Sequence, residues 1–334
     1  MTLIEDFRNR INNGDLDLAP LAEGRTRERF QALQRLSCEN ISLGRLAEAH
    51  VDALQILREA NRQGIPGASY GVWAAEDPSC ELRLVTQDGQ SRLVGTKSFC
   101  TGAGFIDRAL VTVRTPEVLL LDLDIASNRD RFGIDVSGWC SPAFADTATA
   151  VVDFAGLEVP SSAVVGGSGW YLDRPGFWNG ACGPAACWAG GAQGIVAWAH
   201  TKLTAAAKPH PIRDVAIGTL AALADQMDAV VAHAAHDIDA DPSDEVKARR
   251  RALAVRHNIE RGCTSVLDVV GRIVGPRPLI SDVQFQTRSL AVQLYIRQCH
   301  AEGDLETLGQ TVRQLTVEAG ARIKSNNCRR RQIW

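Results

Sequence analysis

The segment from Val94 to Arg114 carries the residues whose types and spacing are best suited to chemistry. Its sequence, VGTKSFCTGAGFIDRALVTVR, reads as a strand, a polar bend and a second strand. Thr101 supplies a hydroxyl in the bend, and Gly102 and Gly104 allow the backbone to approach a ligand closely because they lack a Cβ atom. Such a bend can place a hydroxyl and main-chain N–H groups against a flat, polar ring system. The same pattern is also typical of a hairpin corner that needs glycine.

Composition and charge narrow the class of protein. The chain has 334 residues, of which 45% are hydrophobic and 22% are charged, as in ordinary soluble globular proteins. A net charge of −3 gives no reason to expect nucleic acid as a partner. The nine cysteines are scattered and form no C-x-x-C pair, which argues against a disulfide framework and a zinc site. We therefore expect a cytoplasmic protein without a metal.

The apolar segments favour buried helices over targeting or membrane segments. The N-terminus is charged from residue 5 onward, unlike a signal peptide. The stretch from 181 to 199 is the most apolar, but it contains several glycines and Pro184, which indicates a packed helix. We therefore expect no membrane partner.

Three zones of different pattern predict an α+β protein of several domains. A charged, helix-prone zone comes first, and Asn40 or Ser42 could cap a helix within it. Short alternating segments follow, with a turn signal at Asp88-Gly89, and predict an antiparallel β-barrel or sandwich. Long apolar stripes then predict a C-terminal four-helix bundle. The predicted units are a reduced N-terminal helical segment (1–67), the β-barrel domain (68–168), the helical bundle (169–324) and a basic tail (325–334).

Two further boundaries can be predicted. Thr147 to Phe154 reads as a strand. Asp241 followed by Pro242 is a good cap and first-turn pair, so a bundle helix is expected to begin there.

The order of helical start, β-domain and helical bundle, with five local phrases, resembles the acyl-CoA dehydrogenase superfamily of flavoproteins. The resemblance covers roughly residues 70 to 300. It implies that FAD lies between the β-domain and the bundle, and that the bundles build a homodimer or a homotetramer. The phrases are GVWAAEDP (71–78), GTKSFCTGAG (95–104), VDFAGLEVPSSAVVG (152–166), AGGAQGI (189–195) and FQTRSLAVQLY (285–295).

The resemblance also implies which residues contact FAD. Phe99 and Thr101 would lie against the flavin ring. Ala75 stands where the superfamily has a flavin-contacting hydroxyl, and Ser79 is a candidate replacement. The flavin-phosphate arginine has no clean match, and Lys208, His210 and Arg213 are nearby substitutes. The implied cofactor-binding residues are Phe99, Thr101, Gly102, Ala103, Ser79, Gly271 and Gly275.

The catalytic glutamate that the resemblance implies is missing. The superfamily uses it to abstract a proton α to a thioester carbonyl, and places it after the Tyr of the late bundle motif or early in the bundle. Here Arg297 follows Tyr295 closely, and the early position reads Gly183-Pro184-Ala185, so neither offers a carboxylate. Glu302 is our first candidate for a relocated base and His300 the second, because either group can be tuned toward neutral pH when screened from water. A solvated helix end is the alternative reading.

The N-terminal segment also departs from the superfamily. Residues 1–67 are fewer than a full helical domain, so the resemblance predicts an acyl pocket that is open on that side.

Three other clusters favour structural roles. His233 and His236, followed by acidic residues, indicate a polar helix end more than a metal site. The basic tail, with Arg322, Lys324 and Arg329 to Arg331, could contact a phosphate, but a solvated end is favoured. An aromatic cluster could line a flat pocket, although we favour the core of the domain junction. It comprises Trp170, Tyr171, Phe177, Trp178 and Trp188.

We therefore predict an FAD-dependent oxidoreductase that acts on the CH–CH group of a small acyl or acyl-CoA-like substrate through an atypical or relocated base. One alternative is a flavin-dependent monooxygenase on the same fold, which needs no such glutamate. Another is a flavin-free scaffold or interaction subunit.

Overall fold

The N-terminal part is helical. In the computed structural model, residues 1–205 and 210–331 are described, with side chains described through residue 317. Asn40 caps the third helix, as predicted, because its side-chain oxygen accepts hydrogen bonds from the N–H groups of Ser42 and Leu43 at 2.9 and 3.2 Å. The helices are α1 (Leu3–Asn12), α2 (Thr26–Glu39) and α3 (Ile41–Glu59).

The middle part is a mixed sheet of eight strands. The order is β6-β7-β3-β2-β4-β5-β8, and β1 pairs with β4. The strands are β1 (Tyr70–Trp73), β2 (Leu82–Gln87), β3 (Gln90–Cys100), β4 (Arg108–Arg114), β5 (Val118–Asp124), β6 (Gly133–Asp135), β7 (Ala150–Asp153) and β8 (Val164–Val165), with a short helix, α4 (Ile125–Asn128), after β5.

The sheet differs from the sequence prediction in two respects. β1 runs parallel to β4, and β2 meets β4 in parallel at Arg83 and Arg114, so the sheet is not wholly antiparallel. Thr147 belongs to a single 3-10 turn, and the strand expected there begins only at Ala150. The hairpin at Asp88-Gly89 is confirmed: both residues have positive φ, +52° and +78°, as a tight turn between antiparallel strands requires.

The C-terminal part is a set of long helices. Asp241, expected to start a helix, is instead the C-cap of α8, while Asp244 caps α9 by accepting a hydrogen bond from the N–H of Lys247. The acids of this linker all suit caps, so the sequence alone did not distinguish them. The helices are α5 (Trp170–Asp173), α6 (Pro175–Gly180), α7 (Cys182–Thr204), α8 (Pro211–Ala240), α9 (Glu245–Val274), α10 (Arg277–Ser281), α11 (Val283–Tyr295) and α12 (Glu302–Arg331).

One hydrophobic core runs through all three parts. It includes Phe7 and Phe30 from the N-terminal helices, Trp73 from the sheet, and Trp188 and Tyr295 from the C-terminal helices, all of them buried. α3 is central to this arrangement because it packs against β1 and against α7. The N-terminal helices are therefore packed into the rest of the molecule.

α8 is long and apolar enough, by length and composition, to cross a membrane, and in the described residues no other helix is. Its buried residues recur at helical spacing, as in Leu220, Met227 and Val231, and it packs along α7 and α9. Ile212 and Val215 near its start are 64% and 69% exposed. The helix therefore belongs to the bundle and leaves apolar surface uncovered.

The contact of α7 with α2 depends on a glycine. A Cβ atom on Gly190 would lie 2.2 Å from the carbonyl oxygen of Gln34 and 2.8 Å from its Cα, both backbone atoms that cannot move alone. Close packing of this kind leaves no room for an added methyl group.

We predict that Gly190→Ala lowers the free energy of unfolding by about 1–3 kcal/mol, because α2 and α7 must separate to accept the methyl group. Gly218→Ala on α8 is the matched control, since its Cβ would meet nothing within 4 Å. That change should leave stability equal or raise it by up to about 1 kcal/mol through helix propensity. Chemical denaturation of both variants measures this, and equal effects would contradict the packing explanation.

Candidate functional site

A cavity of about 350 Å³ lies where α3, the sheet and the C-terminal helices meet. Aromatic side chains form part of its wall, and charged and hydroxyl groups form the rest. It brings together Phe99, Thr101 and His300, three residues that sequence analysis assigned to cofactor binding or catalysis. The aromatic residues are Phe99, Tyr171, Phe177 and Tyr295, and the polar ones that matter below are Arg45, Glu48, Asp52, Thr101 and His300.

The bend after β3 displays an aromatic ring to this cavity. Phe99 adopts φ of +57°, a left-handed conformation that is uncommon for a bulky residue, and the β3–β7 register shifts between Lys97 and Cys100. As a result its side chain is 51% exposed and forms part of the cavity wall. The distortion thus keeps Phe99 out of the core and available to a planar ligand.

Thr101 offers one hydrogen-bond donor to the cavity. Its Oγ1 accepts a hydrogen bond from Arg45 Nη2 at 2.8 Å and another from Thr149 Oγ1 at 3.2 Å. A hydroxyl has two lone pairs and one hydrogen, so these contacts leave the hydrogen free to donate. Thr101 therefore presents an oriented O–H group beside the Phe99 ring.

Three main-chain N–H groups of the bend, those of Thr101, Gly102 and Ala103, already have acceptors within the protein. The N–H of Thr101 donates to Phe99 O, that of Gly102 to Thr147 O and that of Ala103 to Cys100 O. Gly102 has φ of +79°, and a Cβ there would lie 2.6 Å from Ile106 Cγ2. The turn itself therefore requires glycine at position 102. Ala103, the next residue, is fully buried.

Two carboxyl groups reach the cavity from α3. Glu48 and Asp52 are one helical turn apart, and each lies against a glycine of the facing helices. A Cβ on Gly183 would be 3.0 Å from Glu48 Oε1, and a Cβ on Gly180 would be 3.0 Å from Asp52 Oδ1. The glycines thus make room for the acids.

Burial governs the protonation of both acids. It raises the pKa of Glu48 to about 8, with a further increase from the charge of Asp52 and opposition from Arg29, Arg256 and Arg45. Burial also raises the pKa of Asp52, against the attraction of nearby arginines. Neither carboxyl accepts a hydrogen bond from any residue that the structure describes, so both remain available to a ligand.

Arg45 joins the bend to the bundle. Besides its hydrogen bond to Thr101, its guanidinium carbon lies 4.7 Å from the ring centroid of Phe144 and 5.7 Å from that of Tyr295. Such contacts stabilise a desolvated cation. Arg174, which also lines the cavity, forms an ion pair with Glu59. The cavity therefore has fixed cations next to its two carboxyl groups.

The two residues predicted as bases lie differently. His300 lines the cavity, although its side chain is 78% exposed and its Nδ1 is 3.4 Å from Asp304 Oδ1. Glu302 is exposed on the first turn of α12 and is not among the described residues that line the cavity. The structure thus leaves Glu302 without the enclosed surroundings that a tuned base needs.

The remaining cofactor candidates lie outside the cavity. Ser79 is exposed and donates its hydroxyl to Asp77 Oδ1 at 2.7 Å. Gly271 and Gly275 lie at the end of α9, and Gly275, with φ of +67°, ends that helix. His210 is the N-cap of α8. Arg297 binds Glu260 at 2.6 Å, on α9.

Some candidates cannot be placed. Lys208 lies outside the described residues. The side chains of the basic tail, including Arg322, Lys324 and Arg329 to Arg331, also lie beyond the described part.

The acidic end of α8 serves packing. His233 pairs with Asp237 at 3.5 Å, while Asp239 accepts hydrogen bonds from the N–H and hydroxyl of Thr26 at the start of α2. Among the described residues, no group of three potential metal ligands is assembled. These acids therefore connect α8 to α2.

Sequence analysis missed Arg45, Glu48 and Asp52. Their spacing of three and four places them on one face of α3, but solvated charges on surface helices follow the same spacing. The signal was the matching series Gly176, Gly180 and Gly183, also spaced by four and three. A small-residue stripe can accept another helix closely, and here it accepts an acidic face.

Solved structures share this architecture. TdsC from Paenibacillus sp. A11-2, in complex with FMN and indole, is 17% identical, with 85% of this chain and 82% of that chain aligned at a TM-score of 0.68. KijD3, in complex with FMN and a dTDP-linked 3-amino-4-keto sugar, is 13% identical over 87% and 81% of the two chains, at 0.73.

A third structure identifies the fold. Butyryl-CoA dehydrogenase from Megasphaera elsdenii is 15% identical over 85% of this chain and 81% of that chain, with a TM-score of 0.73. No protein-family model and no curated protein sequence matches the chain. The chain has the acyl-CoA dehydrogenase fold, which confirms the fold predicted from its sequence.

We predict that the free energy of unfolding falls as pH rises from 6.5 to 8. A folded-state carboxyl with a raised pKa keeps its proton after the unfolded chain has released it, so raising the pH favours unfolding up to about pH 8. His50 has the opposite effect at lower pH, because burial lowers its pKa from 6.5 to about 4. The change in the free energy of unfolding above pH 6.5 therefore reports on Glu48 and Asp52.

Glu48→Gln should remove about 1–2 kcal/mol of this fall, since one pKa unit corresponds to about 1.4 kcal/mol. Glu302→Gln is the control, because that residue is exposed and should leave the slope unchanged. Denaturant titrations at pH 6.5, 7.2 and 8 measure the slopes. Parallel curves for the wild type and Glu48→Gln would contradict the assignment.

Proposed function

We propose that this protein is a flavin-dependent oxidoreductase with FAD as its cofactor and with its reaction in the cavity described above. The observation that carries the proposal is the exposed Phe99 ring beside the oriented Thr101 hydroxyl, at a cavity between the sheet and the C-terminal helices of an acyl-CoA dehydrogenase fold. TdsC and KijD3, solved with FMN, support the choice of a flavin.

The residues present fit a flavin ring. Phe99 offers an aromatic face for stacking, and Thr101 offers an O–H donor for a ring heteroatom. Arg45 holds that hydroxyl in place and is itself held by the Phe144 and Tyr295 rings. A bound flavin would supply the hydride acceptor, its N5 atom.

The proposed substrate is a small acyl or acyl-like molecule that is oxidised at a CH–CH group. Ala74, Ala75 and Val72 add apolar surface from the sheet side of the cavity, next to the aromatic residues. An apolar wall with a few convergent polar groups is typical of a small-molecule site. Acids and arginines at one end would orient the polar part of the substrate.

We predict that the purified protein is yellow and that denaturation releases a flavin. Chromatography of the released cofactor distinguishes FAD from FMN. Recovery of FMN would show that the cofactor is a flavin but not FAD. A colourless protein that takes up neither flavin at micromolar concentration would contradict the proposal and favour a scaffold subunit.

Thr101→Val should weaken flavin binding about three- to tenfold, the usual worth of one hydrogen bond, and Thr101→Ser should restore it. Ser79→Ala is the matched control, since that hydroxyl is exposed and already bonded to Asp77. Fluorescence titration of the apoprotein measures all three. A larger loss of flavin affinity in Ser79→Ala than in Thr101→Val would indicate that the flavin ring binds away from Thr101.

A flavin-dependent monooxygenase is the second candidate. It is favoured by Gly183 and Arg297, which leave no carboxyl at the two positions implied for the catalytic glutamate, with Arg297 bound to Glu260. The relative TdsC has been solved as a dibenzothiophene monooxygenase. Bleaching of the flavin by a substrate without oxygen supports the dehydrogenase, whereas product formation that requires oxygen and pre-reduced flavin supports the monooxygenase.

We also propose a homodimer or homotetramer in the cytoplasm. The exposed Ile212 and Val215 of α8 support association, because a bundle that leaves apolar residues uncovered gains by pairing.

A further inference from the structure

We propose that Glu48 is the acid–base residue of this cavity, so that α3 supplies the carboxyl group that the C-terminal helices lack. The inference rests on the proposed function for the cavity but concerns a residue that sequence analysis did not single out. It rests on the position of Glu48, its missing hydrogen-bond partners and the facing glycine.

The position of Glu48 opposite Gly183 is the first observation. Gly183 lies in the first turn of α7, and a Cβ atom there would come within 3.0 Å of Glu48 Oε1. A glutamate on α7 and Glu48 on α3 would therefore compete for the same space. In this chain the α7 position is glycine, and the carboxyl comes from the opposite wall.

The surroundings of Glu48 are the second observation. Its carboxyl reaches the cavity and accepts no hydrogen bond from the described residues, although four charged groups lie around it. Glu48 is partly buried, and an acid whose role was structural would normally bond to one of these groups, because an unpaired carboxyl that is partly removed from water is costly. The titratable and charged groups that face Glu48 are Arg29 of α2, Arg45 and Asp52 of α3, Tyr171 of α5, Cys187 of α7, Arg256 of α9 and Tyr295 of α11.

Asp52 adjusts the proton affinity of Glu48. The two acids lie on neighbouring turns, so a charge on one disfavours a charge on the other. Burial and this repulsion bring the pKa of Glu48 to about 8. A general base works best when its pKa lies near the working pH, since it is then partly ionised and still strongly basic.

In the proposed step, a Glu48 carboxylate oxygen takes the proton from the carbon next to the substrate carbonyl. An O–H bond forms as that C–H bond breaks. A hydride leaves the adjacent carbon with its electron pair for the oxidised flavin of the proposed function, and a carbon–carbon double bond forms. Glu48 ends the step protonated, and its proton returns to water when the product leaves.

Infrared spectroscopy of the flavin-loaded protein tests the titration of Glu48 without a substrate. Spectra recorded between pH 6.5 and 9.5 should lose a protonated carboxyl C=O band with a midpoint near 8. The band should be missing in Glu48→Gln and retained in the control Glu302→Gln. Asp52→Asn should lower its midpoint, because the repulsion is removed. Asp52 contributes a protonated carboxyl band of its own, because burial also raises its pKa. The outcomes that would overturn the proposal are therefore a component with its midpoint near 8 that persists in Glu48→Gln, or no such component in the wild type.

Flavin bleaching without oxygen tests the chemical role, with butyryl-CoA and longer straight-chain acyl-CoA esters as probes. Glu48→Gln should lower the maximum bleaching rate about a hundredfold or more and change the half-saturating concentration little, because shape is kept and basicity is lost. Glu302→Gln should bleach at the wild-type rate. Wild-type bleaching that Glu48→Gln leaves unchanged, or that Glu302→Gln abolishes, would overturn Glu48 as the base.

The two experiments separate the two proposals. If no ester bleaches the wild-type flavin while the infrared band behaves as expected, the acyl substrate of the proposed function is wrong and the proton-exchanging role of Glu48 is supported. If bleaching is fast and the Glu48 band is missing, the function is supported and Glu48 is excluded.

Discussion

The structure depends on the close approach of an acidic helix face to a glycine stripe. Gly176, Gly180 and Gly183 lie against Glu59, Asp52 and Glu48 of α3, and any Cβ on these glycines would meet a carboxyl atom. Carboxyl groups in such a position lose hydration, which raises their pKa, and nearby cations oppose that rise. Arg29, Arg45, Arg174 and Arg256 oppose it from four different segments. Charged groups of the N-terminal helices and of the C-terminal helices therefore meet in one place.

Arg45 extends this constraint to the bend after β3, where the flavin ring is proposed to bind. The guanidinium group hydrogen-bonds to Thr101 and lies over Phe144 and Tyr295, so one buried cation fixes a hydroxyl from the sheet and an aromatic ring from α11. Removing it would take away one of the two hydrogen bonds that the Thr101 hydroxyl accepts and would leave the rings of Phe144 and Tyr295 without this cation. The two halves of the proposed site, ring-binding and acid–base, are therefore parts of one packed unit.

Features set by neighbouring residues could be predicted from the sequence, and those set by distant ones could not. The Asn40 cap and the Asp88-Gly89 hairpin are local, since each depends on a few adjacent residues. Thr101 could be singled out from the glycine-rich bend alone, whereas Phe99 was implied by the resemblance of that segment to the superfamily; both line the cavity. The start of α9 was misplaced because several acids nearby could each cap a helix. Glu48 was missed because the glycine that makes room for it lies in another part of the chain.

The same difference explains why Glu302 was chosen first from the sequence. Glu302 lies close along the chain to Arg297, which occupies one of the two positions where the implied carboxyl is missing. A cavity wall, however, is built from segments that meet in space, and the chemistry there requires only that a carboxyl reach the substrate. Gly183 removes a side chain from α7, and the space it leaves is filled by Glu48 of α3. In the proposed site the carboxyl group therefore comes from α3, the helix that faces Gly183.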